Sequence, residues 1–134
     1  MDTGVLYALA DRGDAHHNRC AKWLTSTAGP LLVPQTVVAE ACYMIGTYCG
    51  VDVEAAFLDS VGAGKTFQPE ALVDGDFERM AELVRRYGDL PLGGTDASVI
   101  AVAERRGSTR IATVDHRHFT VVRPRHTPAL ELLP

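Results

Sequence analysis

The stretch TDASVIAVAERRGSTRIATVDHRHF, Thr95 to Phe119, restricts what this chain can fold into more than any other. Thr95 reads as an N-cap, and Asp96 falls in the first helical turn, where a negative charge suits the helix dipole. Val99, Ile100, Val102 and Ala103 supply an apolar helical face, and Gly107 is a natural stop. Ile111 to Val114 is a short apolar run of strand character, followed directly by Asp115. Strands alternating with helices imply an α/β fold with a parallel sheet and right-handed crossovers, so helix starts and strand ends share one rim. Open α/β sheets bind ligands at that carboxyl-end rim. Two acids delivered there suggest a site for a hard divalent cation.

Two more acids strengthen that expectation. Asp2 stands just ahead of a short helical pattern, Val5, Leu6 and Leu9. Glu40 stands in a helix that follows the strand-like segment Leu31 to Val33, with Thr36 as its expected cap and Gly50 as its terminator. Glu40 lies one turn from Val37 and another from Met44, on an apolar stripe where a carboxylate is costly to bury unless paired or bound to metal.

The rest of the chain reads as a single domain over residues 1–134, long enough for a real core and too short for two. Helices are expected from Asp14 to Thr27, capped by Asp14 and ended by Gly29, and from about Asp52 to Val61. Another is expected from Asp74 to Arg86, amphipathic through Phe77, Met80, Leu83 and Val84. Thr66 and Phe67 suggest a short strand, Val121 and Val122 a last one, and the tail from Pro124 an irregular segment; the loop GDLPLGG precedes Thr95. Trp23, Phe57 and Phe77 read as core side chains. No apolar run approaches a membrane span and no signal segment opens the chain. Cys20, Cys42 and Cys49 form no C-x-x-C pair, which suits a reduced cytoplasmic protein. Net charge is −4, yet Arg105, Arg106, Arg110, Arg117, Arg123 and Arg125 face only Asp115 in the span to His126. Such a basic quarter suits a phosphate-bearing ligand that must approach carboxylates, or is simply a solvated helix end and polar tail.

One feature is awkward. To sit on the same rim as Asp96 and Asp115, Asp2 should follow a strand of four to eight residues, and only Met1 precedes it. The first strand is therefore expected to be truncated and the sheet one strand short.

The stretches DTGVLYAL, VVAEACYMIG, DLPLGGTDASVIAVAERRG and IATVDHRHF resemble, in that order, the PIN domain, and in particular the VapC toxins of bacterial toxin–antitoxin pairs. The resemblance covers roughly half the chain and implies a three-layer α/β/α sandwich around a short central parallel sheet. It implies an Mg²⁺- or Mn²⁺-dependent endoribonuclease that cuts cellular RNA, held inactive by a cognate antitoxin, and a homodimer. The family's acids map onto Asp2, Glu40, Asp96 and Asp115, and its polar residue two before the last acid onto Thr113. With those residues, Asp2 and Asp96 are expected to bind the ion most directly. Asp115 would bind a second ion or hold its waters, Glu40 would orient or deprotonate the attacking water, and Thr113 would steady a carboxylate or phosphate oxygen. His116 and His118 read as phosphate contacts or surface residues.

Taken singly, each acid has an ordinary structural role as a cap, a turn residue or half of an ion pair; the four together in this order do not. Two rivals remain. A catalytically silent PIN-like module that binds RNA or protein would bind divalent ions without cleaving any RNA. A phosphoryl-transfer domain of the receiver or haloacid-dehalogenase type would need a lysine near the acids, and neither Lys22 nor Lys65 follows a convincing strand on that rim.

Overall fold

The computed structural model describes residues 1–90 and 92–134; Pro91, inside the expected GDLPLGG loop, lies outside the described residues. The elements run α1 (Thr3–Ala10), α2 (His17–Ser26), β1 (Leu31–Pro34), α3 (Gln35–Tyr48), α4 (Val51–Ala63), β2 (Phe67–Glu70), α5 (Asp74–Arg86), α6 (Gly94–Arg106), β3 (Arg110–Ala112), α7 (His116–Val121) and β4 (Glu131–Leu133). Every strand pairing is parallel, as the alternation of strand and helix requires. β1 pairs with β2 with Leu31 opposite Phe67, and β3 pairs with β4 with Arg110 opposite Glu131.

The expected central sheet is divided. Among the described residues it forms two separate two-stranded sheets, β1-β2 and β3-β4. Among the described residues, Met1 and Asp2 bond to both sheets: the Met1 ammonium donates to the Leu32 carbonyl at 3.0 Å, and Asp2 N donates to the Ala112 carbonyl at 2.8 Å. The short first strand expected from the sequence thus appears as a break in hydrogen bonding, because two residues cannot supply a ladder.

Several element ends differ from expectation for a common reason, competition for local hydrogen bonds. The N-cap of α6 is Gly93, so Thr95 lies inside the helix and its hydroxyl is released for another partner. α3 likewise begins after Pro34; Thr36 is helical, and its hydroxyl lies 2.6 Å from that of Ser98. Asp14 closes a turn onto His16 N at 2.7 Å rather than capping α2, which starts at His17. Asp115 caps a helix, so Val121 and Val122 are the end of α7 and not a strand. The proline-broken tail is not wholly irregular, for residues 131–133 form β4 along the edge of β3.

The core gathers Leu6, Val33, Val37, Ile45, Ile100 and Ile111, all buried. Full burial of each such side chain is worth about 1.5–3 kcal/mol. α6 runs through its centre, packing against β1, β3, α3 and α5, and ends at Gly107, whose φ of +65° closes the helix in the left-handed region. Phe57 is buried and Trp23 half-buried, as read from sequence, but Phe77 is 56 % exposed. Of the expected stripe Leu83 is buried, but Asp76 and Arg79 share its inner face, so the buried face of α5 is rotated by about one residue from the stripe that includes Phe77 and Val84. No helix among the described residues is long and apolar enough to cross a membrane.

Candidate active site

Four backbone features bring the acids to one rim: the start of α1, the second turn of α3, the first turn of α6 and the exit of β3. Asp2 is the N-cap of α1. Its Oδ1 accepts from Thr3 N at 2.7 Å and its Oδ2 from the Thr113 hydroxyl at 2.8 Å. Thr113 is fully buried, and its Oγ1 also accepts from Asp115 N at 3.0 Å, so one hydroxyl ties the first acid to the last. Gly4 permits this closeness: a Cβ there would meet a Val114 methyl at 2.6 Å. Any larger residue would force α1 or the Val114 side chain to shift.

Asp96 accepts from Gly93 N at 3.4 Å, so it caps its own helix from the third position. Asp115 caps α7 through Oδ1, accepting from Arg117 N at 3.0 Å and His118 N at 3.4 Å. The capping roles that account for each acid singly are therefore present, and each leaves an oxygen turned to its neighbours. Glu40 is exposed, which overturns the expectation of a costly buried carboxylate. It is held by hydroxyls: Thr3 Oγ1 donates to Oε2 at 2.5 Å and Thr95 Oγ1 to Oε1 at 3.1 Å. No arginine pairs with Asp2, Glu40, Asp96 or Asp115 among the described residues.

The electrostatics follow. Burial raises the pKa of Asp2, the Thr113 hydrogen bond offsets part of this, and the charge of Asp96 adds to the rise. Burial also raises Asp96; His118 works against that, while Asp115 and Glu40 reinforce it. His118, expected as a phosphate contact or surface residue, is half-buried beside two of the acids. Its Nδ1 lies 3.1 Å from Asp96 Oδ2 and 3.4 Å from Asp115 Oδ2, an ion-pair approach that leaves the nitrogen buried without a directed hydrogen bond.

Three participants were not singled out from the sequence in the place they occupy: Thr3, Thr95 and His118. Thr3 and Thr95 each adjoin an acid in sequence, at D-T and T-D, and that adjacency was the available signal. The basic quarter, by contrast, is largely spent. Arg105 pairs with Glu70 and Asp76, Arg106 with Glu70, Arg110 with Glu131 and Arg125 with Glu82. Only Arg117 and Arg123 of the six are exposed and outside ion pairs among the described residues.

No group of three His, Cys, Asp or Glu side chains among the described residues is close enough to form a closed metal cage. Mg²⁺ does not need one: it binds through one or two carboxylates and completes its shell with waters and substrate phosphate. The donor set at this rim, all-oxygen acids that repel one another and lack an arginine, fits such an ion.

A PIN domain model matches residues 1–123. Ribonuclease VapC26 from Mycobacterium tuberculosis (strain ATCC 25618 / H37Rv) is 34% identical over 124 residues, covering 92% of this chain and 91% of the relative. The crystal structure of Mycobacterium tuberculosis VapC20, described as a Sarcin-Ricin loop cleaving toxin, superposes with a TM-score of 0.75 at 20% identity, over 81% of this chain and 83% of that one. At that identity the likeness speaks for the fold.

Proposed function

The chain belongs to the PIN-domain family, and from that premise we propose that it works, as one domain over residues 1–134, as a VapC-like endoribonuclease toxin that cleaves RNA with Mg²⁺ or Mn²⁺ at the Asp2–Asp96–Asp115 rim. One observation carries the proposal: acids from four elements meet with no arginine among them, and Asp2 and Asp96 are raised in pKa by burial first and by neighbouring acids as well. A protein seldom keeps such a repulsive cluster unless a cation relieves it.

Asp2 and Asp96 would hold the ion, and Asp115 would hold a second ion or its waters. When bound, the ion lowers the pKa of water and polarises a phosphoryl oxygen. Glu40, exposed and steered by two threonine hydroxyls, takes the proton from the attacking water. Thr113 fixes the rotamer of Asp2 and keeps that carboxylate facing the rim. Attack by water leaves 5′-phosphate and 3′-hydroxyl ends.

The same reading gives the partners: an RNA substrate, a cognate VapB-like antitoxin and a second copy of the chain. An apolar hollow of about 600 Å³ beside Leu6, Leu9, Val53 and Phe57 offers an antitoxin segment a place to dock, and the three free thiols suit a cytoplasmic protein.

The test is cleavage of total bacterial RNA by the purified chain, with Mg²⁺ or Mn²⁺ against EDTA. Discrete metal-dependent fragments bearing 5′-phosphate ends are expected. Divalent-ion binding with no cleavage of any RNA would overturn the proposal in favour of a silent RNA- or protein-binding module.

A further inference from the structure

The two exposed arginines left over from the basic quarter, Arg117 and Arg123, meet no acid among the described residues. Arg117 stands two residues after Asp115, and its backbone N–H donates to that carboxylate at 3.0 Å, which places it at the acid rim. The exposed face of α7 runs from Arg117 to Thr120, one turn on, while Phe119 and Val122 take the buried face. Past the end of the helix, the Arg123 guanidinium folds back and donates to the Thr120 carbonyl at 3.1 Å. Six helical residues span about 9 Å. Two unpaired cations therefore bracket a short helix that starts at the rim.

The line continues onto a second element. Arg123 N donates to the Tyr87 hydroxyl at 3.0 Å, tying the end of α7 to the end of α5. Arg86 lies over the Tyr87 ring, its guanidinium carbon 5.5 Å from the ring centroid. Arg86 is exposed and also meets no acid among the described residues. An arginine anchored on an aromatic ring offers a flat cationic surface on which a nucleobase can stack.

Charge alone would suit any polyanion, an acidic peptide included. Two features favour an unpaired RNA strand. The cations succeed one another along a line that leaves the rim, so consecutive phosphates can meet them. The line also ends on a stacking surface, which neither a peptide nor a duplex with its bases turned inward would use. We propose that RNA reaches the site as an unpaired strand laid along α7, with Arg117 and Arg123 on phosphates and Arg86, held on Tyr87, under an adjoining base. That path presupposes the endoribonuclease reading of the rim and specifies the form of its substrate. It also gives Arg117 a task at the site, because carboxylates repel a phosphate and a neighbouring cation offsets that repulsion.

The experiment titrates the full chain with a short, unstructured RNA in EDTA, at several salt concentrations, so that binding is read without metal-dependent cleavage. Arg117→Gln and Arg123→Gln are each expected to weaken binding about three- to fivefold. Each should also flatten the slope of log affinity against log salt by about 0.7. Arg86→Lys keeps the charge and loses the plane, so it should weaken binding by a similar factor with the slope unchanged. Lys65→Gln serves as the control: it removes an exposed, unpaired cation just before β2, at the opposite edge from the strand exits, and should leave both quantities as they were. Slopes unmoved by Arg117→Gln and Arg123→Gln would overturn the proposal. So would an equal effect from Lys65→Gln, or a blunt RNA duplex bound as tightly as the single strand. If the slopes shift as expected but the chain cleaves no RNA with Mg²⁺ or Mn²⁺, the path stands and the endoribonuclease reading falls; cleavage with unmoved slopes does the reverse.

Discussion

The two ends of α6 treat negative charge in opposite ways. Around its last turn, Glu70, Asp76, Glu82 and Glu104 each meet an arginine: Arg79 reaches Glu104 at 2.8 Å, Arg105 reaches Glu70 at 2.8 Å and Asp76 at 3.0 Å, and Arg106 reaches Glu70 at 2.7 Å. The Arg106 hydrogen bond, against burial, holds Glu70 below the usual carboxylate range; at Glu104 burial pushes upward but Arg79 and Arg125 outweigh it. Around the first turn of α6, Asp96 and its neighbours have hydroxyls, amides and one histidine for company, and burial and mutual repulsion lift Asp96 and Asp2. Around the last turn of α6 the chain brings an arginine to each of these acids; around the first turn, among the described residues, it brings none, and there the proposed cation would supply the neutralising charge.

The sharpest way to break that contrast is one substitution at each end. Asp96→Asn removes a proposed ion ligand and should lower metal-dependent RNA cleavage on the order of 10³-fold, the loss of several kcal/mol of transition-state stabilisation. The metal-free protein should melt no lower than before, because a repelled charge has gone. Arg105→Ala should do the reverse. It strands Asp76, 3 % exposed, beside Glu70, and costs about 2 kcal/mol of stability, discounted from full burial because Arg105 is itself 28 % exposed. Its cleavage rate per folded molecule should hold. Full cleavage by Asp96→Asn would remove Asp96 from the ligand set and end the contrast.

Glu40→Gln sharpens it within the rim. Glutamine keeps an oxygen to accept from one of the Thr3 and Thr95 hydroxyls and offers its amide N–H to the other, but is a far weaker base. Cleavage should fall about 10²-fold with Mg²⁺ affinity, measured calorimetrically, unchanged. An equal loss of affinity would make Glu40 a ligand instead.

Much of this site was legible in the residues, and the misses have physical causes. Asp2, Asp96 and Asp115 were readable because an acid at a helix start or strand exit is placed on the rim by topology alone. Glu40 was found for the wrong reason: periodicity put it on the stripe of Val37 and Met44, yet the stripe's edge opens to solvent there, and only the fold shows the threonines that hold it. β4 was invisible because strand identity in residues 131–133 comes from the edge of β3, not from local pattern, and Pro128 and Pro134 mask it further. The arginines misled because composition counts charges without their partners, and those partners lie 29 and 35 residues away for Arg105.

The two ends should also titrate with opposite sign. Asp2 and Asp96 have folded pKa values above the unfolded value of about 3.9. The folded state then binds more protons in that window, and their contribution to metal-free stability falls as pH rises through it. Glu70 and Glu104 are lowered, so their contribution is present above the unfolded value of about 4.3 and is lost as pH falls through the folded one. On the proposed function, Mg²⁺ competes with protons at the rim. Its increment to the thermal midpoint should therefore grow as Asp2 and Asp96 deprotonate above about pH 4 and then level off. Midpoints measured from pH 4 to 8 with and without Mg²⁺ check this, and an increment that stays flat throughout would detach the ion from these two acids.

The smallest effect belongs to the last ion pair of the basic quarter. Arg110 and Glu131 approach to 3.2 Å at the first matched position of β3 and β4, with side chains 61 % and 59 % exposed. Solvent screens such a pair, so Arg110→Ala should cost under about 1 kcal/mol, and less in high salt. The pairing of the strands rests instead on backbone bonds such as Thr113 N to Leu133 O at 2.7 Å, which the substitution leaves alone. Chemical denaturation of Arg110→Ala beside Arg105→Ala puts an arginine with a mostly exposed side chain and one with a better covered side chain on one scale. Losses of equal size would mean that burial is not what separates structural from expendable charge in this chain.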